Sequence, residues 1–259
     1  MTFSKPIHRD PIWYPFTQMQ EFLHESPLSI ASAQGCWLVD EAGNRYLDGV
    51  SSLWANVHGH QHPKIDAAVR EQLGRVAHST MLGLTHPGGV ELAQRLTALA
   101  PPGLDRVFYS DSGATAVEIA LKMAYQYWQL QGEHSKQRFL KLSEAYHGDT
   151  VGAVSLGGMD IFHERFGPLL FETKKVPTPD MYRHPFGDLS PEEVRDRYFD
   201  ESAATIQKYA DTACAFIVIP RSRSSGALSI LSKLRYSDKP CLLNNNVIAA
   251  VKVVLPWST

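Results

Sequence analysis

The chain has 259 residues, 44% of them hydrophobic and 20% charged, and carries a formal net charge of −2. That size and balance suit one large soluble domain or two modest ones with a substantial core. The near-neutral charge gives no electrostatic pull toward nucleic acid or an anionic membrane, and no apolar run reaches bilayer-spanning length. The opening Met1-Thr2-Phe3-Ser4-Lys5-Pro6 lacks the apolar core of a secretion signal, so the expected location is the cytoplasm.

In chain order, Trp37-Leu38-Val39-Asp40, Glu41-Ala42-Gly43-Asn44 and Arg45-Tyr46-Leu47-Asp48 read as strand, turn and strand of a hairpin. Pro63 suits the first position of a helix running to about Val76, and a second helix from about Val90 to Ala100 is stopped by Pro101-Pro102-Gly103. Arg106-Val107-Phe108-Tyr109 reads as a short buried strand. The helix after it carries Ala116, Ile119, Ala120, Met123 and Tyr127 at helical spacing. Phe139-Leu140-Lys141-Leu142 and Cys214-Ala215-Phe216-Ile217-Val218-Ile219 are further strands. Strands separated by helices imply an α/β fold, a mostly parallel sheet flanked by helices, with ligands at the carboxyl ends of the strands.

Near residue 220 the character changes. Residues 1–220 hold 19 Lys and Arg against 26 Asp and Glu, whereas 221–259 hold six against the single acid Asp238. Arg221-Ser222-Arg223-Ser224-Ser225-Gly226 reads as a solvated linker. The expected organisation is a first segment over 1–60, a larger cofactor domain over 61–220, and a divergent tail over 221–259, frame-shifted or disordered. The widely spaced Cys36, Cys214 and Cys241 form no disulfide framework or zinc knuckle and are expected as buried reduced thiols.

Two stretches carry chemistry. Asp111-Ser112-Gly113-Ala114-Thr115-Ala116-Val117-Glu118 joins a strand to a helix through a turn with little side-chain bulk, which lets an anion reach the unpaired N–H groups and positive dipole end of that helix. Glu144-Ala145-Tyr146-His147-Gly148-Asp149-Thr150 follows the next strand and offers an aromatic ring beside a polar loop. Together they suggest a phosphorylated aromatic cofactor. Asp111-Ser112-Gly113 also resembles the nucleophile segment of trypsin-like proteases, but those are all-β barrels and this serine opens a helix. His58, His60 and His62 alternate along an extended segment; with no acid or cysteine completing a metal site nearby in sequence, they are assigned to turns and caps.

With Ile12-Trp13-Tyr14-Pro15-Phe16-Thr17, Leu47-Asp48-Gly49-Val50-Ser51-Ser52-Leu53-Trp54, His58-Gly59-His60-Gln61-His62-Pro63 and Thr85-His86-Pro87 added, the chain resembles the class III pyridoxal-phosphate-dependent aminotransferases over roughly residues 10–220. Lys122-Met123-Ala124-Tyr125-Gln126-Tyr127-Trp128 and Tyr146-His147-Gly148-Asp149-Thr150 continue the match, and the Trp-Tyr-Pro and Ser-Ser-Leu-Trp segments point to the biotin-synthesis branch. The resemblance implies a fold-type I transferase, incomplete at its C-terminus, and a cytoplasmic homodimer acting on small molecules. The implied reaction is amino transfer from S-adenosylmethionine to 8-amino-7-oxononanoate, giving 7,8-diaminononanoate; the alternatives are a catalytically dead binding or assembly fragment, or another class III activity on ω-amino acids.

The resemblance also assigns residues. Ser112, Gly113 and Ala114 hold the cofactor phosphate, the ring of Tyr146 packs against the cofactor and borders the substrate, and His147 supports the same wall. Phe16, Leu53 and Trp54 face the substrate, with Phe16 standing where such enzymes often carry Tyr and Leu53 where they often carry Trp. Beyond that the match ends. The family continues with a Glu-Pro pair, an Asp for the pyridine nitrogen and a Schiff-base Lys, but here Ile219-Pro220 replaces Glu-Pro and no Asp or Lys of 221–259 stands in a matching setting. Cofactor binding without turnover is therefore expected.

Overall fold

The computed structural model describes residues 11–22, 24, 27–100, 104–158, 164–218 and 252–254. They fall into two compact units, Met1–Thr85 and His86–Thr259.

The first unit has a short helix α1 (Met19–Phe22) and three antiparallel strands, β1 (Ile30–Gln34), β2 (Trp37–Asp40) and β3 (Arg45–Leu47), in the order β1-β2-β3. The anticipated hairpin is β2–β3, paired Trp37 to Leu47 and Val39 to Arg45. Its turn closes on Asp40, whose carboxylate accepts from Asn44 N at 2.8 Å, Asn44 Nδ2 at 2.9 Å and the Tyr46 hydroxyl at 2.9 Å. These bonds, led by the Asn44 side chain, hold the Asp40 carboxyl below its ordinary range. A helical turn α2 (Ser51–Trp54) precedes α3 (Pro63–Arg75), which has Pro63 at its first turn as expected. The apolar positions Ile65, Val69 and Leu73 of α3 recur at helical spacing and are exposed, and no described residue of this unit is buried.

The second unit opens with α4 (Pro87–Leu99), three residues earlier than the apolar spacing suggests, because His86 caps it: its Nδ1 accepts from Gly89 N at 3.1 Å. Then come α5 (Gly113–Leu130), β4 (Arg138–Leu142), α6 (Val151–Ser155), a 3₁₀ turn over Glu164–Leu169, β5 (Thr173–Val176), α7 (Pro191–Lys208), β6 (Ala213–Val218) and β7 (Lys252–Val254). The sheet order is β5-β4-β6-β7, with β4 parallel to β5 and β6 and only β7 antiparallel.

Alternation along the strands builds two cores. Leu140, Leu142, Phe216 and Val218 pack with Val194, Tyr198 and Ile206 of α7 on one face; Phe139, Cys214, Ala215 and Ile217 pack with α5 on the other. All six residues of β6 are buried, as befits a strand covered on both sides.

Three expectations need correction. Arg106 to Tyr109 form no strand: Val107 makes a single bridge, and Phe108 and Tyr109 are exposed, because no described strand lies alongside to complete a ladder. The buried stripe of α5 is Val117, Ala120, Leu121, Ala124 and Trp128, one residue on from the expected one, while Tyr127 is exposed. The indole decides that rotation. Trp128 Nε1 donates to Cys214 O at 2.7 Å, which satisfies a polar atom that burial would otherwise strand. Of the thiols, Cys214 is buried as expected but Cys36 is exposed at the β1–β2 turn; Cys241 and the expected linker and Ile219-Pro220 lie outside the described residues.

Candidate functional site

The start of α5 combines a capping box with open backbone donors. Ser112 is its N-cap in extended backbone, and its Oγ accepts from Thr115 N at 3.2 Å while Thr115 Oγ1 accepts from Ser112 N at 3.0 Å. This reciprocal box consumes two donors and fixes the entry of the chain. The N–H groups of Gly113 and Ala114, the first two of the helix, have no acceptor within it. A Cβ added at Gly113 would meet nothing within 4 Å, so the approach to these donors is open.

The second stretch is held against the first by a glycine contact. Gly148 has φ of +118°, and a Cβ there would lie 2.5 Å from Ala114 Cβ and 2.9 Å from Ala114 Cα. Only glycine fits this backbone and this approach. The loop after β4 is thereby laid on the first turn of α5. Tyr146, two residues earlier, is 41% exposed, and its hydroxyl donates to Asp149 Oδ2 at 2.6 Å.

The next residue along the chain is buried. His147 is 3% exposed, and among the described residues neither Nδ1 nor Nε2 has a hydrogen-bond partner. Burial, and then the charge of Lys141, push its imidazole down to about 4, so it is neutral at physiological pH. Lys141, on β4, is itself buried and donates from Nζ to Ser155 O at 3.0 Å and to Gly157 O. Those carbonyls come from the C-terminal end of α6, where a cation is favoured. At the other end of α6, Glu118 Oε1 accepts from Gly152 N at 2.8 Å, and a Cβ at Gly152 would strike the Glu118 carboxylate at 2.4 Å.

Lys141, Glu118, Gly148 and Gly152 escaped the sequence reading as working parts. Glu118, Gly148 and the loop around them stood within the quoted motifs, so their positions were visible but not their contacts. Ser112, Gly113, Ala114, Tyr146 and His147 lie in one unit, tied together by the Gly148 contact.

Phe16, Leu53 and Trp54 belong to the other unit. All three are exposed, and all three have left-handed backbone, with φ of 51°, 61° and 73°. Ser51 to Trp54 are four successive non-glycine residues at positive φ, a conformation costing roughly 1–2 kcal/mol for each residue. Such strain gathers where a protein must present side chains in a set way. His60 does meet an acid, Asp48 at 2.9 Å, but groups of three or more metal-ligating side chains are absent among the described residues.

The profile of the aminotransferase class III family matches residues 20–233. The chain is 51% identical over 221 residues to an adenosylmethionine-8-amino-7-oxononanoate aminotransferase of Nitratidesulfovibrio vulgaris, covering 85% of this chain and 41% of that protein. It is 45% identical to the enzyme of that name from Geobacter sulfurreducens, covering 86% of this chain and 49% of that one. The crystal structure of the adenosylmethionine-8-amino-7-oxononanoate aminotransferase of Methanocaldococcus jannaschii superposes with a TM-score of 0.72 at 36% identity, over 86% of this chain and 50% of that one. An amine transaminase from an uncultivated Pseudomonas species, solved in its PLP-bound form, also gives 0.72 at 35% identity, over 81% of this chain and 48% of its own. The chain spans about half the length of the curated relatives it matches.

Proposed function

Because the chain belongs to the aminotransferase class III family, we propose that its second unit is a pyridoxal phosphate site and that its parent reaction is amino transfer in biotin synthesis. The donor and acceptor are S-adenosylmethionine and 8-amino-7-oxononanoate. The names of the relatives at 45–51% identity support that substrate pair over an ω-amino acid.

The contact of Gly148 with Ala114 carries the reading, because it sets the Tyr146 loop against the open start of α5. The residues fit the group. Gly113 and Ala114 offer two N–H donors and a dipole end to a phosphate, beside a glycine where a side chain would intrude on nothing but the anion's own approach. Tyr146 presents an aromatic face to a pyridine ring, its hydroxyl anchored on Asp149. His147, the next residue, is buried and neutral at physiological pH. The cofactor, when bound, supplies an electron sink for breaking bonds at the substrate's amino-bearing carbon.

What these residues do is bind and orient. Proton transfer and product release in the family resemblance need a lysine, and none in this sequence stands in that setting; Lys233 and Lys239 lie outside the described residues. These residues are proposed to bind pyridoxal phosphate without themselves supplying that lysine. Borohydride treatment of the protein mixed with pyridoxal phosphate, followed by mass analysis, should show reversible binding and no covalent adduct. A stoichiometric pyridoxyl adduct on Lys233, Lys239 or Lys252 would overturn this part of the proposal.

A second reading, an assembly role in the cytoplasm as partner of a second copy or of a longer relative, is favoured by the exposed Ile65, Val69 and Leu73 stripe of α3. Co-expression with a relative of about twice the length should raise the soluble yield. A monodisperse, cooperatively melting monomer would remove it.

A further inference from the structure

The strained turn of the first unit has a clamp. Asp48, just before it, has a side chain only 4% exposed, although the residue as a whole is half-buried. Its Oδ1 accepts from Ser52 N at 2.8 Å, and its Oδ2 accepts from Ser52 Oγ at 2.9 Å and meets His60 Nε2 at 2.9 Å. The bond from Ser52 N and then that to His60 hold the carboxyl below its ordinary range, so it is ionised and its hydrogen bonds are charge-assisted.

Both ends of the clamp are fastened to the β1–β2 turn. Asp48 N donates to Cys36 O at 2.8 Å, while His60 N donates to Gly35 O at 2.8 Å and Gly35 N to His60 O at 2.9 Å. A Cβ on Gly59 would lie 3.0 Å from Gly35 O, so the His60 segment and the hairpin touch backbone to backbone. The turn itself is closed by Trp54 N on Val50 O at 2.8 Å and Asn56 N on Ser51 O at 3.0 Å. Ser52 lies at the centre of the left-handed run and is the residue Asp48 grips twice.

We propose that Asp48, backed by His60, is a positioning residue that holds Ser51 to Trp54 left-handed and so fixes the direction in which Leu53 and Trp54 are presented. That these side chains meet substrate rests on the function proposed above; the clamp rests on the contacts around Asp48. Removing the carboxylate frees the turn to relax toward the right-handed region that serine, leucine and tryptophan prefer.

The test uses the whole chain labelled with 5-fluorotryptophan, with the Trp54 resonance assigned by Trp54→Phe. In Asp48→Ala the Trp54 line should shift, and chymotryptic cleavage after Leu53 or Trp54 should quicken about tenfold, the scale of one lost charge-assisted hydrogen bond. The lines of Trp37 in the neighbouring hairpin and of Trp128 in the other unit should stay. Asp48→Asn keeps one oxygen for Ser52 N and should give an intermediate effect; His60→Gln should do the same. An unmoved Trp54 line with an unchanged cleavage rate overturns the proposal. Should Asp48→Ala also displace the Trp37 line, Asp48→Asn decides: Trp54 moving alone supports a positioning role, and Trp37 and Trp54 moving together shows a purely structural one. None of these readouts contains a ligand, so failure of S-adenosylmethionine to bind would remove the functional reading and leave the clamp.

Discussion

The two units solve the same problem by different means. In the second, alternate residues of β4 and β6 face helices on both sides, and among the described residues twenty-one hydrophobic ones are buried, from Val117 to Val218. In the first, the strands pair and the hairpin turn closes on Asp40, yet none of the described residues is buried. Local chemistry is enough to shape a hairpin or start a helix, but only contacts between distant segments hide an apolar face. The first unit also holds every described non-glycine residue at positive φ, so its strain is concentrated where its packing is thinnest.

Substitutions can break that contrast, and the largest effect belongs to the packed unit. Leu140→Ala removes a 1% exposed side chain from the centre of the β4–α7 core and should cost about 2–5 kcal/mol in urea unfolding.

Acid is the next probe. His147 has an ordinary value of 6.5 and about 4 in the folded protein, so between those values the unfolded chain takes up a proton that the folded chain refuses. Stability from this group is therefore complete above pH 6.5 and is lost as pH falls toward 4, by up to on the order of 3 kcal/mol. His147→Phe should flatten the difference between urea midpoints at pH 7 and pH 4.5; an unchanged difference would show that the ring is hydrated.

At the start of α5, Gly113→Asp sets a negative charge and new bulk where the phosphate is proposed to sit. Since a Cβ there meets no protein atom, the fold should hold while affinity for pyridoxal phosphate falls by more than about 1 kcal/mol. Equal affinity in equilibrium dialysis would detach the phosphate from this helix. Last, Val69→Ser on the exposed face of α3 should change stability by no more than about 0.5 kcal/mol in the isolated chain. A larger loss would mean that the stripe is covered in solution.

The same contrast explains what could be read from residues alone. Pro63, the Ala42-Gly43-Asn44 turn and the Ser112-Gly113-Ala114 turn are local signals, and each element they mark is present. The α5 stripe was off by one because the helix is apolar on much of its circumference, and its rotation is settled by the hydrogen bond from Trp128 to Cys214, 86 residues away. The Arg106 to Tyr109 run has strand composition but no described neighbour to pair with. In the candidate site, the motif residues were legible, whereas the Lys141 bonds to α6 and the seat of Gly148 on Ala114 depend on how segments meet. No spacing rule reports that.

The two described thiols give each unit its own clock. Cys36 lies at the surface of the hairpin turn, and Cys214 is sealed in β6, where burial pushes it up to about 12. At neutral pH an alkylating reagent should label Cys36 at once and Cys214 only when the sheet opens. The delay between alkylation of the Cys36 peptide and of the Cys214 peptide, each read separately from the peptide of Cys241, then measures how often the parallel sheet comes apart, without disturbing the turn that presents Trp54.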